Sequence, residues 1–195
     1  MMGNGSLVPP TSNNSPSSWE STFWTWRYYY QKIRRCCRFL EHVDAAYFSD
    51  ESERTRMKVE ARTWRAWYHL NLLRWYGRND GIPIVDNSLD PTEVYIGRNT
   101  VEECLDFLNR EFDEILNVQD DEGRRDRICQ AVVLAMKMDI NLQFKKYDLA
   151  KAAAKRLIDS RAFELYYDTE SEPSDLSANY RNLFTYKGEQ NKERI

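Results

Sequence analysis

Residues that break helices are scarce in this sequence. Seven Gly and six Pro are spread over 195 residues, and most of the Pro lie at the N-terminus or in one loop. Long segments therefore run without a breaker, which favours an α-rich fold. Long apolar runs are missing as well. Ala131–Met136 is about the longest, against the ~20 residues needed to cross a bilayer. Histidine is confined to His42 and His69, each alone on a predicted helix, with no HExxH and no Cys/His cluster. A lone helical His reads as a packing or surface residue, and no metal or cofactor is expected. The four cysteines (Cys36, Cys37, Cys104, Cys129) lack CxxC spacing. Cys36 and Cys37 are adjacent and point in different directions on a helix, so all four read as buried free thiols.

Catalytic signatures are absent too: the sequence has no GxSxG, no GxxxxGK and no GxGxxG. The run Asp120-Asp121-Glu122 lacks the alternating ligands and the glycine of a calcium loop and reads as a solvated turn. The chain is expected not to be an enzyme. Nor is there an excess of positive charge. Lys and Arg number 28 against 31 Asp and Glu, a net charge of -3. The basic clusters Lys32, Arg34, Arg35, Arg38 and Arg124, Arg125, Arg127 read as solvated helix faces, and no nucleic-acid partner is expected. Met1–Ser18 lacks a basic stretch followed by an apolar one, so no export signal is legible. Two readings stay open: a cytoplasmic protein, or a chain whose true N-terminus lies elsewhere.

What the sequence does have is helical periodicity. Residues 1–18, rich in Gly, Ser, Asn and Pro, read as a flexible segment. From Trp19 the positions Trp19, Phe23, Trp26, Tyr30, Ile33, Cys37 and Leu40 alternate steps of four and three, one face of a helix reaching about Tyr47. Asp50, with Glu53 three residues on, restarts a second helix over about Glu53–Tyr76. That helix is apolar on more than one face and stops at Gly77. Arg78–Asn99 reads as a long loop. Thr100-Val-Glu-Glu103 is a capping box opening a third helix with Val101, Leu105, Leu108, Phe112 and Ile115 on one face. After a polar connection at Gln119–Asp126, Arg127–Lys145 and Asp148–Ser160 form a helical hairpin. Ala150, Ala153, Ala154 and Leu157 allow its helices to approach closely, as in a tetratricopeptide pair. The fold class is all-α, a tetratricopeptide-like α-α superhelix with long loops.

All six Trp fall within the first 76 residues. Indole and phenol rings stack on the C–H faces of sugars, so exposed aromatics suit carbohydrate capture. Trp19, Trp26, Tyr30, Trp64 and Trp75 are assigned to the core stripes. Trp24 and Tyr28 project nearly opposite the Trp19–Leu40 stripe, one turn apart on the same side. They either pack under another element or form a platform, and they are the candidate ligand-binding residues.

Glu60-Ala-Arg-Thr-Trp-Arg-Ala-Trp-Tyr-His-Leu-Asn-Leu-Leu-Arg-Trp-Tyr-Gly77 followed by Gly81-Ile-Pro-Ile-Val85 resembles the SusD-like (RagB/SusD) family. Members carry E-A-R-x-x-R-A, an aromatic helix and a Tyr-Gly turn leading to x-x-Pro-Leu. In the same order, Tyr30–Glu41 resembles the family's preceding helix and Arg98–Asn117 its capped helix. Ala131–Ile158 resembles its tetratricopeptide hairpin, and Gly188–Glu193 its N-x-E stretch. Cys37 departs from a common Asn, and Arg78–Asp80 lengthens the turn before Pro83. The likeness covers about residues 19–195 and implies one helical domain there, incomplete relative to the longer family members.

The resemblance implies a non-catalytic lipoprotein on the outer face of the outer membrane in Bacteroidetes-type bacteria. It would pair with a SusC-like TonB-dependent transporter and pass it an oligosaccharide or other glycan. The family's anchor is a lipidated Cys after the signal peptide; Cys36, inside a predicted helix, does not fill that role. Arg62 and Arg65 of the motif are expected to be structural, pairing with Glu60 or with carboxylates of the first helix. The alternative is a tetratricopeptide-like scaffold that binds a protein or peptide partner.

Overall fold

The computed structural model describes residues 18–90, 92, 95–118, 127–167, 175 and 177–185, with side chains from residue 25 onward. Residues 1–17 of the expected flexible start, the Gln119–Asp126 connection and the 188–193 stretch lie outside these residues, while Ser18 opens the first helix. The described residues form six α-helices and no strand. The chain divides into two compact units, Met1–Gln119 and Asp120–Ile195.

In the first unit, α1 runs Ser18–His42 and ends in a single 3-10 turn, Val43–Ala45. Helix α2 runs Glu51–Tyr76. Asp50 caps it by accepting the Ser52 backbone N–H at 2.8 Å and the Ser52 hydroxyl at 2.7 Å. Glu53, the expected partner in that cap, is held instead by Arg56. Gly77 closes the helix through its N–H to the Leu73 carbonyl at 3.1 Å. Helix α3 runs Val101–Val118 behind the expected capping box. The Glu103 N–H donates to Thr100 Oγ1 at 3.2 Å, and the Thr100 N–H donates to Glu103 Oε2 at 2.7 Å.

Helix α1 packs on α2, and α2 packs on α3. This accounts for the apolar pattern of α2 on more than one face: Val59, Ala66, Leu70, Leu72 and Leu73 are all buried. On α1 the buried stripe is Tyr29, Ile33 and Cys37, with Trp26, Tyr30 and Leu40 half-buried at its edge. The core assignment of Trp64 and Trp75 does not hold, since they are 45% and 39% exposed. Packing on two neighbours leaves part of the α2 surface uncovered, and those two rings stand on it.

The charged residues of α2 are fixed by α3. Glu111 accepts Arg62 Nη2 at 2.9 Å and Arg65 Nη2 at 2.8 Å, while Glu114 takes Arg62 at 2.6 Å. Arg62 and Arg65 are structural, as expected, but their carboxylates come from α3. Glu60 is held by Arg56 at 2.9 Å.

Long loops lose conformational entropy on ordering, so the 78–100 segment needs bonds that hold it. Asn99 N–H donates to the Ile82 carbonyl at 3.0 Å, and Asn99 Oδ1 accepts the Ile84 N–H at 3.0 Å. Arg98 donates to the carbonyls of Tyr76 (3.1 Å) and Gly81 (2.7 Å). Cys104 Sγ meets both the N–H (3.5 Å) and the carbonyl (3.4 Å) of Ile82. Gly81 makes the turn with φ +68°, and a Cβ there would stand 1.9 Å from the Asn99 carbonyl oxygen. Gly81→Ala is therefore expected to destabilise the fold by about 1–3 kcal/mol, read as a lower urea midpoint. Gly97→Ala, where a Cβ meets nothing within 4 Å, should leave the midpoint unchanged.

In the second unit, α4 (Gln130–Gln143) and α5 (Tyr147–Asp159) form the expected tetratricopeptide-like hairpin. Lys145 turns the chain at φ +61°, and the Lys146 N–H reaches the Asn141 carbonyl at 2.8 Å. Ala150 and Ala153 are buried, as close helix approach requires. A short α6 runs Ala178–Leu183.

Candidate functional site

Helix α1 carries aromatic residues at positions on two of its flanks. At ~100° per residue, Trp24 and Tyr28 share one, and Trp26, Tyr30 and Arg34 share the other. Trp24 lies on α1, but its side chain is outside the described residues.

On the first flank the Tyr28 ring is 49% exposed. The Lys32 ammonium lies over it, 4.8 Å from its centroid. A cleft of about 400 Å³ beside it is lined by Thr25, Arg27, Tyr28, Tyr29 and Gln31. Tyr28 is 5.9 Å from Tyr29, whose ring meets Tyr68 (5.6 Å), Trp75 (5.9 Å) and Trp67 (6.1 Å) of α2. Trp64 joins through Trp67 at 5.7 Å. Tyr28 thus stands at one edge of a continuous band of rings that ends in the exposed Trp64 and Trp75. Burial raises the phenols of Tyr29 and Tyr68 above their ordinary range, so they stay protonated hydrogen-bonding groups at neutral pH. Ring faces, neutral hydroxyls and the side chains of Arg27 and Gln31 can accept a polyhydroxylated ligand.

On the second flank Trp26 is 5.0 Å from Tyr30 and meets Tyr76 edge-on at 5.4 Å, with the Arg98 guanidinium 5.3 Å from its centroid. The loop docks against this flank. Tyr30 donates its hydroxyl to the Pro83 carbonyl at 2.8 Å, and Arg34 donates to the Leu89 carbonyl at 2.6 Å. Between helix and loop lies a groove of about 370 Å³, lined by Trp26, Tyr30, Arg34, Pro83, Val85, Asn87, Leu89 and Ile96.

His69, on α2, fastens the groove wall at Val85. Its Nδ1 bonds the Arg65 carbonyl at 2.8 Å and its Nε2 accepts the Val85 N–H at 3.1 Å, which fixes a neutral ring protonated on Nδ1. Burial pushes its pKa down to about 4. It is the packing histidine the sequence implied, whereas His42 is exposed and bonds the Arg38 carbonyl at 2.7 Å. All four cysteines are free thiols; Cys37 and Cys104 are buried, and Cys36 and Cys129 half-buried. Among the described residues no three His, Cys, Asp or Glu side chains gather as a metal site. No described helix is long and apolar enough to cross a membrane.

The sequence left Tyr28 open between packing and a platform, assigned Trp26 and Tyr30 to the core and Arg34 to a solvated face, and did not single out Asn87; Tyr28 and Arg34 are exposed, and Trp26 and Tyr30 half-buried. One signal was available. Trp26, Tyr30 and Arg34 are spaced i, i+4, i+8, so a side chain unsuited to a core continues the aromatic row.

Residues 7–114, more than half of the chain, match the family model described as SusD-like, starch-binding and associating with the outer membrane. The chain belongs to the SusD-like family. Solved structures share the fold of this SusD-like chain. A SusD-like protein from Bacteroides fragilis NCTC 9343 superposes with TM-score 0.72 at 23% identity, covering 86% of this chain and 32% of its own. The surface glycan-binding protein A from Bacteroides uniformis gives 0.64 at 23% identity, covering 87% and 36%. A laminarin-binding SusD-like protein gives 0.59 at 20% identity, covering 68% and 29%. The chain thus spans about a third of the length of these structures. No curated protein matches it.

Proposed function

We infer that this SusD-like chain is a non-catalytic glycan-capturing component of an outer-membrane uptake complex, handing oligosaccharide to a SusC-like TonB-dependent transporter. Family membership supports glycan binding and association with the outer membrane. Tyr28 carries the local argument: its ring is half exposed, with the Lys32 ammonium over one face, beside a cleft whose side chains offer amide, guanidinium and hydroxyl groups. A sugar laid on that ring exchanges water for C–H contacts with the phenol face, and its hydroxyls reach Arg27 and Gln31. Trp24, one turn earlier on the same flank, is proposed as the second stacking ring.

Native electrophoresis through gels containing starch or laminarin tests this reading. The chain should migrate more slowly in at least one of them. Tyr28→Ala should weaken that retention about 3- to 10-fold, the range of one aromatic contact, while circular dichroism stays unchanged. Equal migration in every gel counts against the proposal. The exposed Trp64 and Trp75 favour a second reading, in which the outer face of α2 contacts a protein partner as a tetratricopeptide-like scaffold does. Co-purification of a soluble protein that is lost in Trp64→Ser, with no glycan retention, would favour it.

A further inference from the structure

We propose that the groove between α1 and the 83–96 loop is a second sugar site, distinct from the Tyr28 cleft, that takes one pyranose ring of a neutral hexose glycan. The inference rests on the glycan reading above and adds a location and a ligand class to it.

The argument starts from shape. At about 370 Å³ the groove lies at the lower end of the size range of small-molecule sites, fitting one ring rather than a chain. One wall is aromatic, with Trp26 and Tyr30 tilted 51° to each other, and the floor is apolar, made by Pro83, Val85 and Leu89. These surfaces suit the C–H face of a pyranose.

The walls are held before any ligand arrives. Trp26 is fixed by Tyr76 and Arg98, Tyr30 by Pro83, and Val85 by His69. Little ordering entropy then remains to be lost on binding. Two polar side chains line the same space. Arg34 gives Nη1 to Leu89 and keeps the rest of its guanidinium fork, while Asn87 gives its exposed amide to no described residue. A planar fork and an amide can together bond neighbouring hydroxyls of a ring edge.

Charge decides the class. Two carboxylates flank the Leu89 end of the groove: Glu41 accepts the Ser88 N–H at 2.6 Å, and Asp90 follows Leu89 in the chain. Arg98 is directed to the carbonyls of Tyr76 and Gly81. An anionic sugar would meet those carboxylates, whereas a neutral one would not.

The experiment is a titration of the full chain with neutral hexaoses (malto-, laminari-, cello- and manno-) and with trigalacturonate. It follows indole N–H resonances, with that of Trp26 assigned by its loss in Trp26→Phe. A neutral hexaose should shift the Trp26 signal. Asn87→Ala should weaken that response at least 5-fold with an unchanged unfolding midpoint, and Arg34→Lys should weaken it with the loop retained. If glycan binds and Tyr28→Ala abolishes it, but the Trp26 signal never moves, the groove proposal falls and the Tyr28 reading stands. Tighter binding of trigalacturonate overturns the neutral class. Absence of binding by every oligosaccharide overturns this proposal together with the glycan reading.

Discussion

Replacing Glu111 with Gln is expected to destabilise the first unit by about 3–5 kcal/mol, a large share of the stability of a small domain. The Glu111 carboxylate is buried between two guanidinium groups. Burial alone would raise its pKa, but hydrogen bonds and charge from Arg62 and Arg65 outweigh it and hold the carboxyl below the ordinary range. Without it, Arg62 keeps Glu114, while Arg65 keeps the Asp86 carbonyl at 2.6 Å and the neutral Cys37 thiol but no carboxylate. A buried cation is then left uncompensated. Arg65→Met added to Glu111→Met should recover most of the loss, because an apolar pair of similar volume removes the stranded charge. Urea midpoints of the single and double variants measure the effect. A single variant within 1 kcal/mol of the parent would show that the cluster does not join α2 to α3.

Acid should weaken the same unit through His69. In the unfolded chain this ring takes up a proton near the ordinary value of 6.5, and in the folded chain only near 4. Between those values the unfolded chain binds more protons, so stability is complete above about 6.5 and falls as pH drops toward 4. The total is about 3 kcal/mol. Protonation would also turn Nε2 from acceptor to donor, leaving the Val85 N–H unpaired in the groove wall. His69→Asn should be less stable at pH 7.5 yet show a flatter slope between pH 6.5 and 4.5. Equal slopes for parent and variant would assign the acid sensitivity to other groups. The carboxylates held low, Glu111 among them, act only at lower pH.

These two residues show where local pattern stops being informative. The capping box at Thr100, the stop at Gly77 and the helical stripes are written within a few residues of chain, so they were legible. So was the structural role of Arg62 and Arg65, since charged groups on a packed helix need partners. Which helix supplies Glu111 was not, because pairing across 46 and 49 positions depends on how α2 lies against α3. The same holds for the aromatics. Periodicity gave the buried row from Ile33 onward but could not tell which surface of α2 has a neighbour, so Trp64 and Trp75 were placed inside. Tyr29 became a core ring because it meets Trp67, Tyr68 and Trp75 of α2. The 78–100 loop read as a connection, while in space Pro83, Val85, Asn87 and Leu89 turn one flank of α1 into a groove. Only contacts between distant segments make that visible.

The central claim is that α1 carries the sugar. Backbone hydrogen exchange, compared with and without the glycan that slows the chain in gels, tests it most directly. The account predicts slower exchange in the α1 turns around Thr25–Arg34 and in the facing loop from Pro83 to Leu89, with α4 and α5 unchanged. Protection confined to the α4–α5 hairpin, or none in α1 while the glycan is bound, would contradict it.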